Sequence, residues 1–225
     1  MISVIIPTLN EANNIERTLN AVFRLSGNFE VIIVDGGSKD HTVEIAKSFS
    51  RVNIITSEKG RSFQMNRGAE IAKGHVLLFL HADTLLPPNA FSAIGTAMAS
   101  PENVAGSFFL DFDYRHRWLT FYTACSKINN ALFTYGDHAI FIKKSCFESI
   151  GGYEPIPFME DVEIQSRLRR SGKFIKLPLG VITSARRFEK SGVVKQCMKD
   201  FFLILFYKAG VSPFKLKEYY KDHVA

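Results

Sequence analysis

Over its first eighty residues the chain alternates short apolar runs with segments of helical spacing, which restricts it to a parallel sheet clad by helices. Residues 2–7 (ISVIIP) are strand-length and β-branched, and a proline stops them. Residues 10–26 then place Ile15, Leu19, Val22 and Phe23 at helical spacing, with Asn10 as the expected cap. Residues 29–34 (FEVIIV), 52–56 and 76–80 (VLLFL) read as further strands, with helices over 42–49 and 62–73 between them. Strands this continuously apolar are buried on both faces, as parallel sheets are. Ligands of such sheets bind beyond the carboxyl ends of the strands.

After Pro87 and Pro88 the pattern loosens. A helix is expected over 91–100, a strand over 104–113, an aromatic-rich helix over 118–133 and a helix over 160–170. No repeat or linker divides the chain. Residues 2–7 lack the basic stretch of a leader, and no run approaches the ~20 apolar residues of a membrane span. Cys125, Cys146 and Cys197 are odd in number and far apart, which fits a reducing, cytoplasmic compartment. The net charge is +6, and residues 186–225 carry most of it, with nine Lys/Arg against four Asp/Glu. Nucleic acid, an anionic membrane or phosphorylated substrates would each suit that bias.

Three constellations carry chemistry. In residues 34–42 (VDGGSKDHT), Asp35 leaves a buried strand, glycines turn the chain, and Asp40 or Thr42 opens a helix. A carboxylate there can accept hydrogen bonds from a nucleoside; a turn with a helix cap would use the same residues. In residues 80–84 (LHADT), Asp83 is a hard oxygen ligand suited to Mg²⁺ or Mn²⁺. His81 could join it or contact phosphate, or serve as a hydrogen-bonded edge histidine. Asp35 and Asp83 are expected to face one crevice. In residues 157–163 (PFMEDVE), Glu160 and Asp161 open a helix, where the dipole alone would favour acids.

Residues 3–11 (SVIIPTLNE), 35–42 (DGGSKDHT) and 78–84 (LFLHADT) resemble the successive motifs of the family 2 glycosyltransferases. Residues 60–69 (GRSFQMNRGA), 136–141 (GDHAIF) and 184–188 (SARRF) are similar to a compact bacterial subgroup of that family, and the likeness runs over nearly the whole chain. It implies a GT-A fold, an α/β domain over 1–225 with a mostly parallel central sheet flanked by helices. Residues 1–100 would be its nucleotide-binding half, 101–189 its acceptor-binding half and 190–225 a helical appendage.

Residue by residue, the resemblance implies that Pro7, Asn10 and Glu11 flank the donor's nucleoside, that Asp35 contacts base or ribose, and that Arg61, Gln64 and Asn66 approach the nucleotide. Asp83 matches the last acid of the DXD motif, which would hold a divalent cation, Mg²⁺ or Mn²⁺, on the diphosphate. Gly36 and His81 depart from the pattern, each standing where relatives carry an acid. Asp161 matches the base of an inverting transfer, with Glu160 as its neighbour. Asp137 and His138 would bond acceptor or donor sugar, and Arg186 and Arg187 would clamp the diphosphate. The QXXRW motif of processive relatives is missing.

The partners implied are a UDP- or GDP-linked sugar and an unidentified acceptor, which lipid linkage would suit, and no nucleic acid. Residues 195–209 mix phenylalanines with lysines. That suits a core-packing helix, a helix lying on the inner face of an anionic membrane, or a homodimer contact. A sugar-phosphate nucleotidyltransferase would instead carry a glycine-rich basic loop after the first strand, where Pro7-Thr8-Leu9-Asn10-Glu11 stands. A catalytically silent nucleotide-binding protein is disfavoured by Asp35, Asp83 and Asp161 together.

Overall fold

In the first half of the chain each predicted strand and helix forms, in order: β1 (Ile2–Thr8), α1 (Ile15–Phe23), β2 (Phe29–Asp35), α2 (Thr42–Lys47), β3 (Val52–Thr56), α3 (Arg61–Ile71) and β4 (Val76–Phe79). The structure is a computed structural model that describes residues 1–219. Strand β1 pairs in parallel with β2 and β4, and β2 with β3. Alternate residues feed opposite layers. Val4, Ile6, Val31 and Ile33 enter one core, whereas Ile5, Ile32 and Val34 enter the other. Two-sided burial is why these runs show no polar alternation.

The second half adds β5 (Thr84–Leu85), α4 (Ala90–Met98), β6 (Asn103–Phe112), α5 (Arg117–Ser126), β7 (Phe141–Lys143), α6 (Lys144–Ser149), α7 (Glu160–Ser171) and β8 (Lys173–Thr183). Then come α8 (Arg186–Ser191), α9 (Val193–Lys208) and α10 (Pro213–Tyr219). One eight-stranded sheet runs β3-β2-β1-β4-β7-β6-β8-β5. It is mixed, because β7 pairs antiparallel with β4 and β6, and β5 antiparallel with β8, while β6 and β8 run parallel. A small third core of Met159, Val162, Leu203, Ile204 and Leu216 seats α9 and α10 on the start of α7. No helix among the described residues is long and apolar enough to cross a membrane.

Three local expectations are corrected. Asn10 does not cap α1, which begins at Ile15. It sits at φ 55° and pins the β1–α1 loop to the β2–α2 loop, accepting from the Lys39 amide at 2.8 Å and donating its own amide to Ser38 Oγ at 2.9 Å. The helix expected over 118–133 ends at Ser126, and a 3₁₀ turn, Ala131–Phe133, follows with Asn130 as its cap. Strand β8 has no counterpart in the sequence reading. Pro178 and Gly180 break its pattern, and its register on β6 jumps from Ser107–Lys176 to Phe109–Gly180, so Pro178 falls in a bulge that needs no ladder donor.

Helix α3, which carries Arg61 and Gln64 toward the sheet edge, rests on β1 and β2 at Gly68. A Cβ there would lie 2.5 Å from Ile5 Cγ2 and 3.0 Å from Val34 Cγ2. Helix propensity favours alanine by about 1 kcal/mol. Overpacking against branched core methyls costs about 1–3 kcal/mol. Gly68→Ala is therefore expected to lower stability in urea unfolding by about 1 kcal/mol or more. A more stable variant would mean that α3 has room to lift off the sheet.

Candidate active site

The loops at the carboxyl edge of the sheet enclose a cleft of about 440 Å³. Asn10 and Glu11 enter it from the β1–α1 loop, Arg61 from α3, and His81 and Asp83 from the segment after β4. Asp137 comes from the 3₁₀ turn Gly136–His138, Glu160 and Asp161 from the start of α7, and Arg186 and Arg187 from α8. An adjoining recess of about 160 Å³ is lined by Pro7, Thr8, Gln64 and Lys59, and it shares Glu11, Arg61, His81, Asp83 and Arg186 with the cleft.

Arg186 stands between the two spaces. Its guanidinium forks onto Glu11 at 3.0 and 2.6 Å and lies 3.3 Å from Asp83 Oδ2. Burial raises the pKa of the Asp83 carboxyl, an effect that Arg186 opposes. His81 is driven down to about 3, by burial first and then by Arg61, Arg187 and Arg186, so its imidazole is neutral at any ordinary pH.

Asp161 is fixed by backbone donors. Its Oδ2 accepts from the Gly136 amide at 2.6 Å and its Oδ1 from the Val162 amide at 2.8 Å. Met159, at φ 65°, turns the chain into α7 and presents both acids to the cleft. Gly136 suits this close approach, because a Cβ would meet His81 Nε2 at 3.0 Å and Asp161 Oδ2 at 3.3 Å and push those side chains back by a few tenths of an ångström. The carboxyl of Glu160 is pushed up to about 7, chiefly by burial and then by Asp161, with Arg61 3.9 Å away as a partial counterweight. Burial also raises Asp137 to about 7, against the pull of Arg187.

Four expected site residues act behind this surface. Asp35 is 2% exposed and turned onto its own loop rather than into the crevice, where it was expected. It accepts from Thr8 Oγ1 at 3.1 Å and from the Gly37 and Ser38 amides at 2.9 and 2.8 Å, donors that a buried carboxylate requires. Asn66 forms a reciprocal pair with the backbone of Tyr153 at 2.8 and 2.9 Å. His138 is fully buried, with Nδ1 3.2 Å from the Phe108 carbonyl and 3.3 Å from Lys176 Nζ. Gln64, though it borders the recess, donates to the carbonyls of Thr8 and Val34 at 2.8 and 2.7 Å and locks β1 to β2.

The cleft also holds residues that the sequence reading missed: Tyr122 from α5 and Asp200, Leu203 and Ile204 from α9. Asp200 pairs with Arg187 at 3.1 Å. It is the one acid in α9 and shares a helix face with Leu203 and Ile204, a pattern visible in the sequence once the helix is granted.

As a metal site, no cluster of three or more His, Cys, Asp or Glu side chains suited to a cation exists among the described residues. Asp83 and the neutral His81 nevertheless supply a hard oxygen and an imidazole nitrogen at the same edge of both spaces. They fit a divalent cation whose remaining ligands come from a substrate's phosphates, as Mg²⁺ commonly takes them, and do not fit a cage made of protein alone.

The chain has relatives among known glycosyltransferases. Over 93 residues the chain is 43% identical to a "PGL/p-HBAD biosynthesis glycosyltransferase" of Mycobacterium bovis, a match to 38% of the chain and 36% of that protein. It is 28% identical over 222 residues to an uncharacterized glycosyltransferase of Haemophilus influenzae, covering 97% of the chain and 66% of that protein. The chain thus spans about a third of the length of the mycobacterial relative that it matches. A mannosyltransferase of Pyrobaculum calidifontis, solved in complex with GDP-Man and Mn²⁺, shares the fold with a TM-score of 0.65 at 22% identity, over 80% of this chain and 56% of that one. The fold is therefore the GT-A fold that the motifs implied. The model of Glycosyl transferase family 2 matches residues 3–150, well over half of the chain, and the chain belongs to that family.

Proposed function

We propose that the chain is an inverting glycosyltransferase that moves a sugar from a UDP- or GDP-linked donor to a hydroxyl acceptor, with Asp161 as general base. The observation that carries this reading is the Asp161 carboxylate. Two backbone amides hold it in a cleft that Arg61, Arg186 and the neutral His81 also line. A base must stand within hydrogen-bond reach of the hydroxyl whose proton it takes, opposite the departing group. The acceptor oxygen then bonds to the anomeric carbon as the bond to the diphosphate breaks on the other face. The proton passes to Asp161, and the configuration inverts.

Pro7, Asn10, Glu11 and Gln64 border the nucleoside's end of the site in this reading, while Asp35 and Asn66 hold the bordering loops in place. The developing charge on the diphosphate is met by the guanidinium groups of Arg186 and Arg61. Entry of a diphosphate would compete with Glu11 and Asp83 for the Arg186 fork. Asp83 and His81 would hold a divalent cation, which when bound neutralises diphosphate charge; that the Pyrobaculum enzyme was solved in complex with both GDP-Man and Mn²⁺ supports the use of a cation. Asp137 and Arg187 face the acceptor's side. The free thiols Cys125, Cys146 and Cys197 suit a reducing, cytoplasmic setting.

Asp161→Asn is expected to leave donor affinity nearly unchanged while turnover falls by roughly 10²–10⁴, the usual worth of a positioned base. Glu160→Gln should lose less. Transferase rate measured beside calorimetric donor affinity decides the matter, and a fully active Asp161→Asn enzyme rules out the base.

A pH dependence follows from Glu160 and Asp137. Their raised carboxyls are neutral below about 7 and charged above it. As pH rises through that value, negative charge accumulates in the cleft that the diphosphate would enter. Affinity for a nucleotide-sugar in chelator is expected to weaken by roughly tenfold across the transition. The double variant Glu160→Gln/Asp137→Asn should flatten the curve. An affinity that strengthens with pH, or a double variant as pH-sensitive as the parent, contradicts the assignment.

A further inference from the structure

Helices α5 and α9 each have one side in the cleft and another that no described residue covers. Tyr122 of α5 and Asp200, Leu203 and Ile204 of α9 wall the cleft. On the outer side of α9, Phe201 is 59% exposed and Phe206 48% exposed, with Phe202, Leu205, Met198 and Val194 beside them. At 3.6 residues per turn these six fall in one arc of roughly 140°, bordered on one side by Lys208 and on the other by Lys199, with Lys195 inside its edge. Phe201, Phe202 and Phe206 contact one another rather than the core. The core-packing role expected for this helix therefore belongs to its inner side alone.

Neighbouring elements extend the surface. Helix α5 packs on α9 and presents Trp118 and Phe121, the latter 63% exposed. Helix α10 packs on α9 and presents Phe214, also 63% exposed, between the exposed Lys215 and Lys217 and the loop before it. Arg115 and Arg117 are exposed at the start of α5. Against these cations the three helices set two acids, Glu218 and Asp200, and Asp200 is turned inward onto Arg187. Most of the exposed large hydrophobic side chains of the described residues lie on these three helices. A patch of this kind on a monomer marks an interaction site.

We propose that this surface docks the protein on an anionic lipid bilayer. An apolar arc rimmed by lysines matches an interface in which aromatic side chains enter the acyl boundary and cations meet the headgroups. Cations on both borders of the apolar arc are placed to meet a continuous layer of anionic headgroups. Because the same two helices wall the acceptor's side of the cleft, docking here opens that side to the membrane surface and makes the acceptor an amphiphile presented from the bilayer. The acceptor clause rests on the transferase reading; the docking itself does not.

The test is co-sedimentation of the intact chain with phosphatidylcholine vesicles, with and without phosphatidylglycerol. Partition is expected to be about tenfold stronger onto the anionic vesicles and to weaken as salt is raised. The variant Phe201→Ser/Phe206→Ser should lose about tenfold in partition. It should keep the parent's melting temperature and nucleotide affinity, since both positions are exposed. An intact protein that stays in the supernatant at low salt overturns the proposal. So does concentration-dependent dimerisation that the same variant abolishes, which would assign the surface to a second copy. Nucleotide affinity, read in the same samples, separates the two ideas: bound nucleotide without vesicle binding removes the docking alone, and vesicle binding without nucleotide removes the transferase.

Discussion

A single hydrogen bond, from the Gly136 amide to Asp161 Oδ2 at 2.6 Å, joins the parts of the site that come from distant stretches of chain. It ties the 3₁₀ turn before β7 to the start of α7, and Gly136 lies at the same time against His81 from the end of β4. Three connections of the sheet thus meet at one glycine. The two-layer core makes this meeting possible, because β4 and β7 are neighbours in the sheet and their ends are held in register. A carboxylate bonded to two backbone amides has a fixed orientation without an ion pair of its own, which suits the proposed role of a base.

Electrostatics shape the rest. Glu11, Asp83, Asp137, Glu160, Asp161 and Asp200 share the cleft with Arg61, Arg186, Arg187 and Lys190. With acids in excess and water partly excluded, some carboxyls hold their protons to higher pH, as Glu160 and Asp137 do. A diphosphate is a poor guest for such a cleft unless protons, arginines released from carboxylates, or a cation at Asp83 and His81 offset its charge. The neutrality of His81 fits this balance, since an imidazole kept uncharged among three arginines remains available as a ligand.

The first half of the fold was legible because β1, β2 and β4 are apolar runs that are almost wholly buried, and α1 carries a single apolar stripe. Strand β8 was not, because a bulge absorbs Pro178 and its lysines, Lys173 and Lys176, fall three residues apart and break the period of two. The lining of the cleft was legible where motif residues stand in loops or open helices, as Glu11, Asp83, Glu160 and Arg186 do. Asp35 and His138 are instead sealed inside, Asp35 by the backbone donors of its own loop and His138 with Nδ1 at the Phe108 carbonyl. Which way a carboxylate turns at the end of a strand depends on whether backbone donors curl back to meet it, and one residue type serves both outcomes. The outward stripe of α9 was written in the spacing of its phenylalanines; which face met the core depended on where α7 and α10 would lie.

The central claim is a single displacement at the anomeric carbon, with Asp161 taking the acceptor's proton. Once a nucleotide screen has found a donor, proton NMR of the first sugar transferred, to an acceptor or to water, reads the configuration directly. The account predicts a product of opposite anomeric configuration to the donor from the earliest time points. A product that retains the donor's configuration would contradict it, and would require a mechanism in which Asp161 is not the base.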